Sequence, residues 1–98
     1  MASIYKYPIP EAGEHVELKI KGFCEVVHAG VDGNGAPCIW ALVMPEKQEE
    51  AWTFLLVATG QEFDVKKWCH LATFMKGPFV WHLLRPSDQW ERSSLPHE

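Results

Sequence analysis

The sequence predicts an all-β fold, a single small antiparallel sandwich or barrel of about seven strands with a polar C-terminal tail. Short runs rich in β-branched and aromatic residues recur, with turn signals roughly every 8–12 residues. No long helical periodicity and no internal repeat interrupts them. The stretch Pro37-Cys38-Ile39-Trp40-Ala41-Leu42-Val43-Met44 carries no charge and no polar side chain apart from the thiol. A run of about eight apolar residues is too short to span a bilayer and suits a strand covered on both faces. It is expected to be the central strand.

The other elements follow in order. Ser3 to Ile9 is rich in β formers and is stopped by Pro8 and Pro10, which suits an edge strand. Glu11-Ala12-Gly13 reads as a turn. His15 to Lys21 alternates, with Val16, Leu18 and Ile20 on one side and His15, Glu17, Lys19 and Lys21 on the other. That is a strand with one wet face, and its charges also suit an edge. Phe23 to Ala29 is a third strand, with Phe23, Glu25, Val27 and Ala29 on one face and Cys24, Val26 and His28 on the other. Gly30-Val31-Asp32-Gly33-Asn34-Gly35 holds both Asp-Gly and Asn-Gly, which supply the positive φ values of tight hairpins. This loop should join the third strand to the central one as an antiparallel hairpin.

Pro45 to Glu50 is polar and reads as an exposed, acidic loop. Ala51 to Thr59 is the fifth strand, with Trp52, Phe54, Leu56 and Ala58 on one face. Asp64 can cap a short helical turn. Trp68 to Met75 is the sixth strand, with His70, Ala72 and Phe74 opposite Leu71, Thr73 and Met75. Phe79 to Leu84 is the seventh, with Phe79, Trp81 and Leu83 opposite Val80, His82 and Leu84. Residues 1–84 thus form the domain, and residues 85–98 form a polar tail in which Trp90 could dock back onto it.

The totals narrow the function. A chain of 98 residues suggests one domain with one core. The formal charge of −4 argues against direct nucleic-acid binding, which needs a basic patch. The three cysteines are odd in number and widely spaced, and the first seven residues lack the apolar core of a signal peptide. Reduced thiols in the cytoplasm are expected.

Five motifs carry a resemblance: Ile4-Tyr5-Lys6-Tyr7-Pro8-Ile9, Pro37-Cys38-Ile39-Trp40-Ala41-Leu42-Val43, Ala58-Thr59-Gly60, Ala72-Thr73-Phe74 and Phe79-Val80-Trp81-His82-Leu83. In this order, over roughly residues 3 to 84, they resemble a family of small proteins of unknown function found in bacteriophages and prophages. Ala58 and Ala72 stand where that family is expected to have Gly. The resemblance brings no catalytic residue to carry over. It implies a phage accessory product in the cytoplasm of the host cell, of the kind that counters bacterial immunity by stoichiometric binding.

Candidate sites have plain structural readings beside the functional ones. Cys24, His28, Cys38, Cys69 and His70 offer metal-ligand chemistry without any Cys-x2-Cys spacing, and cysteines among apolar neighbours commonly pack as small hydrophobes. No metal and no other cofactor is expected. Adjacent Cys69 and His70 point to opposite faces of a strand, so they cannot pair as nucleophile and base. The expected activity is therefore binding, not catalysis. Five tryptophans are many for one small core. Some should face a partner, which also suggests a homo-oligomer. The expected binding residues are Trp40, Trp52, Trp81, His82, Tyr5, Tyr7 and Arg85.

Three roles remain open. The first is inhibition of a host defence protein in the manner of an anti-CRISPR. The second is sequestration of a cyclic nucleotide signal by an aromatic pocket with cations such as Lys6, Lys19, Lys21 and Arg85. The third is a structural, virion-associated part.

Overall fold

The structure is a computed structural model in which residues 1–10 and 15–87 are described. The expected tail and the docking of Trp90 lie outside them, apart from its first residues. Seven strands form: β1 (Ser3–Pro8), β2 (His15–Lys21), β3 (Phe23–Val31), β4 (Pro37–Val43), β5 (Glu49–Ala58), β6 (Trp68–Lys76) and β7 (Phe79–Pro86). They make two antiparallel sheets, β1-β4-β3 and β2-β5-β7-β6. The fold is all-β and is a sandwich. At one side β3 lies close to β6 and brings the two sheets together.

Alternation decides the inner faces. Val16, Leu18 and Ile20 of β2 and Trp52, Phe54 and Leu56 of β5 point inward from the four-stranded sheet. Ile39, Ala41 and Val43 of β4 meet them from the three-stranded sheet, and all three are fully buried. Phe23 bridges the layers, with its ring centroid 4.7 Å from Trp52 and 6.3 Å from Phe54. Each of the larger side chains buried here stabilises the fold by roughly 1.5–3 kcal/mol.

Two expected face assignments are corrected by bulges. In β3, register shifts at Phe23/Glu25 and at Val26/His28 each insert a residue. Phe23, Val26 and Ala29 therefore pack inward, while Val27 is exposed and Glu25 pairs beside Leu42 on the outer face. In β6, a shift at His70/Ala72 puts His70 on the same outer face as Thr73, with Ala72 and Phe74 inside. An extra residue reverses the parity of everything after it, which strict alternation cannot anticipate.

Several boundaries also differ, among them the end of β3, which runs on through Gly30 to Val31. The polar loop is shorter than expected, because Glu49 and Glu50 already pair with Lys21 and Ile20 of β2. Strand β7 runs on through Arg85 to Pro86.

The turns follow their residues. Asp32 accepts backbone N–H bonds at Oδ1 from Asn34 (2.9 Å) and Ala36 (3.0 Å), and Gly35 takes φ 79° to close the hairpin. Asp64 accepts from the Lys66 N–H at 2.9 Å and so caps the helical turn that leads into β6. At the far corner, Gly22 turns the chain from one sheet to the other at φ 62°. Its carbonyl accepts from the Met44 N–H at 2.8 Å, and its own N–H donates to Gln48 at 3.3 Å. The two crossings between sheets are thereby latched together.

The shortest dimension of the molecule is 17 Å. Two sheets about 10 Å apart with their side chains fill that depth, and no third layer fits. Among the described residues no further sheet lies over the outer side of β4, although its sequence reads as apolar on both faces.

Candidate binding face

On the outer side of the three-stranded sheet, register sets the rows. Lys6, Trp40 and His28 stand abreast, and so do Ile4, Leu42 and Glu25. Trp40 is half-buried and leans on the His28 imidazole, with centroids 5.2 Å apart and planes at 48°. Leu42 is half-buried beside it, and Ile4 is 57% exposed. The His28 ring in turn lies over Gly30, where an added Cβ would come within 3.0 Å of its Nε2.

The margin of this apolar centre is charged. Lys6 Nζ reaches Asp32 Oδ2 at 3.3 Å, and Glu25 stands on the opposite side. The Ala36 and Asn34 N–H groups, followed by Lys6, hold the Asp32 carboxyl down to about 2. Cys38, on the same side of β4, is fully buried and donates to the Ala36 carbonyl at 3.3 Å. Burial, and next the Asp32 carboxylate, push its thiol up, which disfavours the thiolate. An indole and aliphatic groups thus lie within a charged margin.

The outer side of the four-stranded sheet carries a different arrangement. Thr73 Oγ1 lies 2.8 Å from His70 Nε2 and 2.9 Å from His82 Nδ1. His82 Nε2 lies 2.8 Å from Thr59 Oγ1, which reaches the Val80 carbonyl at 3.4 Å. One direction that satisfies the chain of hydrogen bonds, set by the tautomer of His82, runs from His70 to the Val80 carbonyl. His70 Nε2–H donates to Thr73, Thr73 to His82 Nδ1, His82 Nε2–H to Thr59, and Thr59 to the carbonyl. The network fastens the end of β5 to β7 and β6. Beyond it, Trp68 stacks on His15 at 6.3 Å.

The expected binding residues divide among several places. Trp40 is on the outer face of the three-stranded sheet. Trp52 is 5% exposed in the core and has no surface to offer, which corrects its expected place in a site. Trp81 and Tyr7 pack against the core, and burial, then Tyr5, raise the Tyr7 phenol. Tyr5 is 46% exposed on edge strand β1. His82 belongs to the threonine–histidine network, and Arg85 is half-buried opposite Cys69 on β6.

Lys6 stands on a different sheet from Lys19, Lys21 and Arg85, so the four named cations do not share one sheet. Among the described residues, no three His, Cys, Asp or Glu side chains gather as metal ligands. The contributions of His28, His70, Thr73 and Thr59 were not legible. His28 and His70 each adjoin a bulge, and Thr59 lies just beyond the end of its strand.

The fold and this face define a small β-sandwich with an aromatic outer face on its three-stranded sheet. The chain belongs to the family described as Domain of unknown function (DUF7352), which matches residues 1–93. No curated protein and no solved structure matches it. Among the described residues, no helix is long and apolar enough to cross a membrane.

Proposed function

We propose that this domain acts by stoichiometric binding of a protein, as a homo-oligomer and without turnover. Its setting is the one the sequence resemblance implies, a phage product that counters a bacterial defence protein inside the host. The observation that carries the binding reading is the outer side of β4. Trp40 and Leu42 there are half-buried on a sheet face over which, among the described residues, no second sheet lies. Large aromatic side chains at the centre of such a face supply most of the energy of a protein interface. The test is expression of the chain in bacteria whose defence system restricts a phage. The wild type should restore plating and Trp40→Ala should not. Unchanged restriction across a panel of defence systems would remove the anti-defence reading.

A second reading rests on a groove of ≈ 380 Å³ lined by Lys66, Lys67, Trp68, Pro86 and Ser87. A tryptophan and two lysines among the lining residues are the residue types that suit a nucleobase and its phosphate. Thermal shifts with a panel of cyclic nucleotides test it, and no shift with any of them discards it.

A further inference from the structure

We infer that β1 is the dimerisation edge of this protein, pairing antiparallel with β1 of a second copy about a two-fold axis at Tyr5. The argument begins with the direction of the backbone groups. The Ile9 N–H bonds the Pro37 carbonyl at 2.9 Å, in step with the register Tyr7↔Ile39 and Pro8↔Cys38. Bonded and non-bonded pairs alternate along an antiparallel ladder. Ser3, Tyr5 and Tyr7 therefore turn their backbone groups to β4, and Ile4 and Lys6 turn theirs to the open edge. Among the described residues nothing bonds to those outward groups.

The edges of the two sheets are β1, β3, β2 and β6. β3 and β6 carry bulges and lie against each other. β2 carries Glu17, Lys19 and Lys21 on its solvent side. Bulges, covering and charge are the usual protections of an edge against pairing. β1 has an unbroken register, and its one charge is drawn aside to Asp32 at 3.3 Å. Pro8 blocks the ladder only at the strand's end.

The axis at Tyr5 is the register that uses the strand best. Ile4 faces the partner's Lys6 and exchanges both backbone hydrogen bonds with it, and the two-fold repeats the exchange. Centring on Lys6 would set the two lysines against each other, and centring on Ile4 would leave Lys6 opposite Ala2, outside the strand. With the axis at Tyr5, two exposed phenol rings cover each other on one side, and Ile4 packs on the partner's Lys6 stem on the other. The two three-stranded sheets become one, and their Trp40 faces become continuous.

This interface rests on the proposed function only for the expectation of a homo-oligomer. The experiment is size-exclusion with light scattering on the full chain at micromolar concentration, together with oxidative cross-linking in a Cys24→Ser background. The wild type should run at twice the chain mass. Ile4→Lys, which sets a cation against the partner's Lys6, should weaken the dimer at least about tenfold. Ile4→Glu should keep it, and both variants should melt as folded domains. Tyr5→Cys should form a disulfide dimer, because non-bonded partners lie about 4.5 Å apart between Cα atoms, within the reach of a disulfide. Ser3→Cys, which faces Tyr7 in this register, should not.

A single-chain mass overturns the inference. So does a dimer that cross-links through Ser3→Cys and not through Tyr5→Cys, or one lost on Trp40→Ala and kept on Ile4→Lys. A monomer that still depends on Trp40 for its effect on plating would remove the edge and leave the face.

Discussion

Trp40 rests against His28 with ring centroids 5.2 Å apart, on the side of β4 that faces away from the four-stranded sheet. The opposite side of the same strand is the closed core. Trp40→Ala should therefore behave differently from a core truncation. Partner binding should fall by at least about tenfold, in the range of a hot-spot loss. Chemical denaturation should show a smaller loss of stability than any core truncation shows.

Phe54 supplies the contrast. It is 0% exposed between the sheets and in edge contact with Phe23. Phe54→Ala should cost about 3–5 kcal/mol in urea unfolding. A loss below that of Trp40→Ala would reverse the assignment of inner and outer faces.

Gly22 makes the corner between β2 and β3 at φ 62°, and a Cβ there would run into the Met44 carbonyl oxygen. The left-handed conformation alone costs a non-glycine residue roughly 1–2 kcal/mol. Gly22→Ala should lose at least about 2 kcal/mol, because the obstacle is backbone that the second crossing holds in place. Thermal melting beside Gly33→Ala, where an added Cβ meets nothing, is the check.

Thr73 serves two imidazoles at once, at 2.8 and 2.9 Å. Thr73→Val keeps the shape and removes the shared hydroxyl. It should cost about 1 kcal/mol, since water can reach this face and replace part of the bonding. In a double-mutant cycle with His82→Ala the two losses should be less than additive.

The Asp32 carboxyl is held at about 2 in the folded protein and relaxes to about 3.9 when unfolded. A depressed carboxylate stabilises the fold above its unfolded value, and that stabilisation fades as pH falls from about 4 toward 2. Melting temperature should drop over this window more steeply for the wild type than for Asp32→Asn. The amide retains an oxygen for Asn34 and Ala36 but has no charge to lose. Equal slopes would separate Asp32 from acid stability.

The strands were legible where one face is wet. Val16, Leu18 and Ile20 alternate with charges, and β2 matches its expected span. The hairpin was legible because Asp32 and Gly35 each do what the turn requires. The faces of β3 and β6 were not, because a bulge has no residue signature of its own. Val26 and Val27 are the same residue type, and only packing against the other sheet decides which one enters the core. The dispersal of the tryptophans has a related cause. Trp40 and Trp52 both sit in apolar strands, and nothing local says which side of each sheet the second layer covers. The apolar run of β4 suggested cover on both sides, and among the described residues a second sheet covers only one. Sequence alone does not distinguish a layer of the same chain from a partner.

Native mass spectrometry of the chain isolated from infected cells, beside its Trp40→Ala variant, tests the outer face most directly. The wild type should carry a second protein in fixed stoichiometry, and the variant should arrive without it. A variant that retains that protein at the wild-type ratio would contradict the assignment of the β4 outer face as the binding surface.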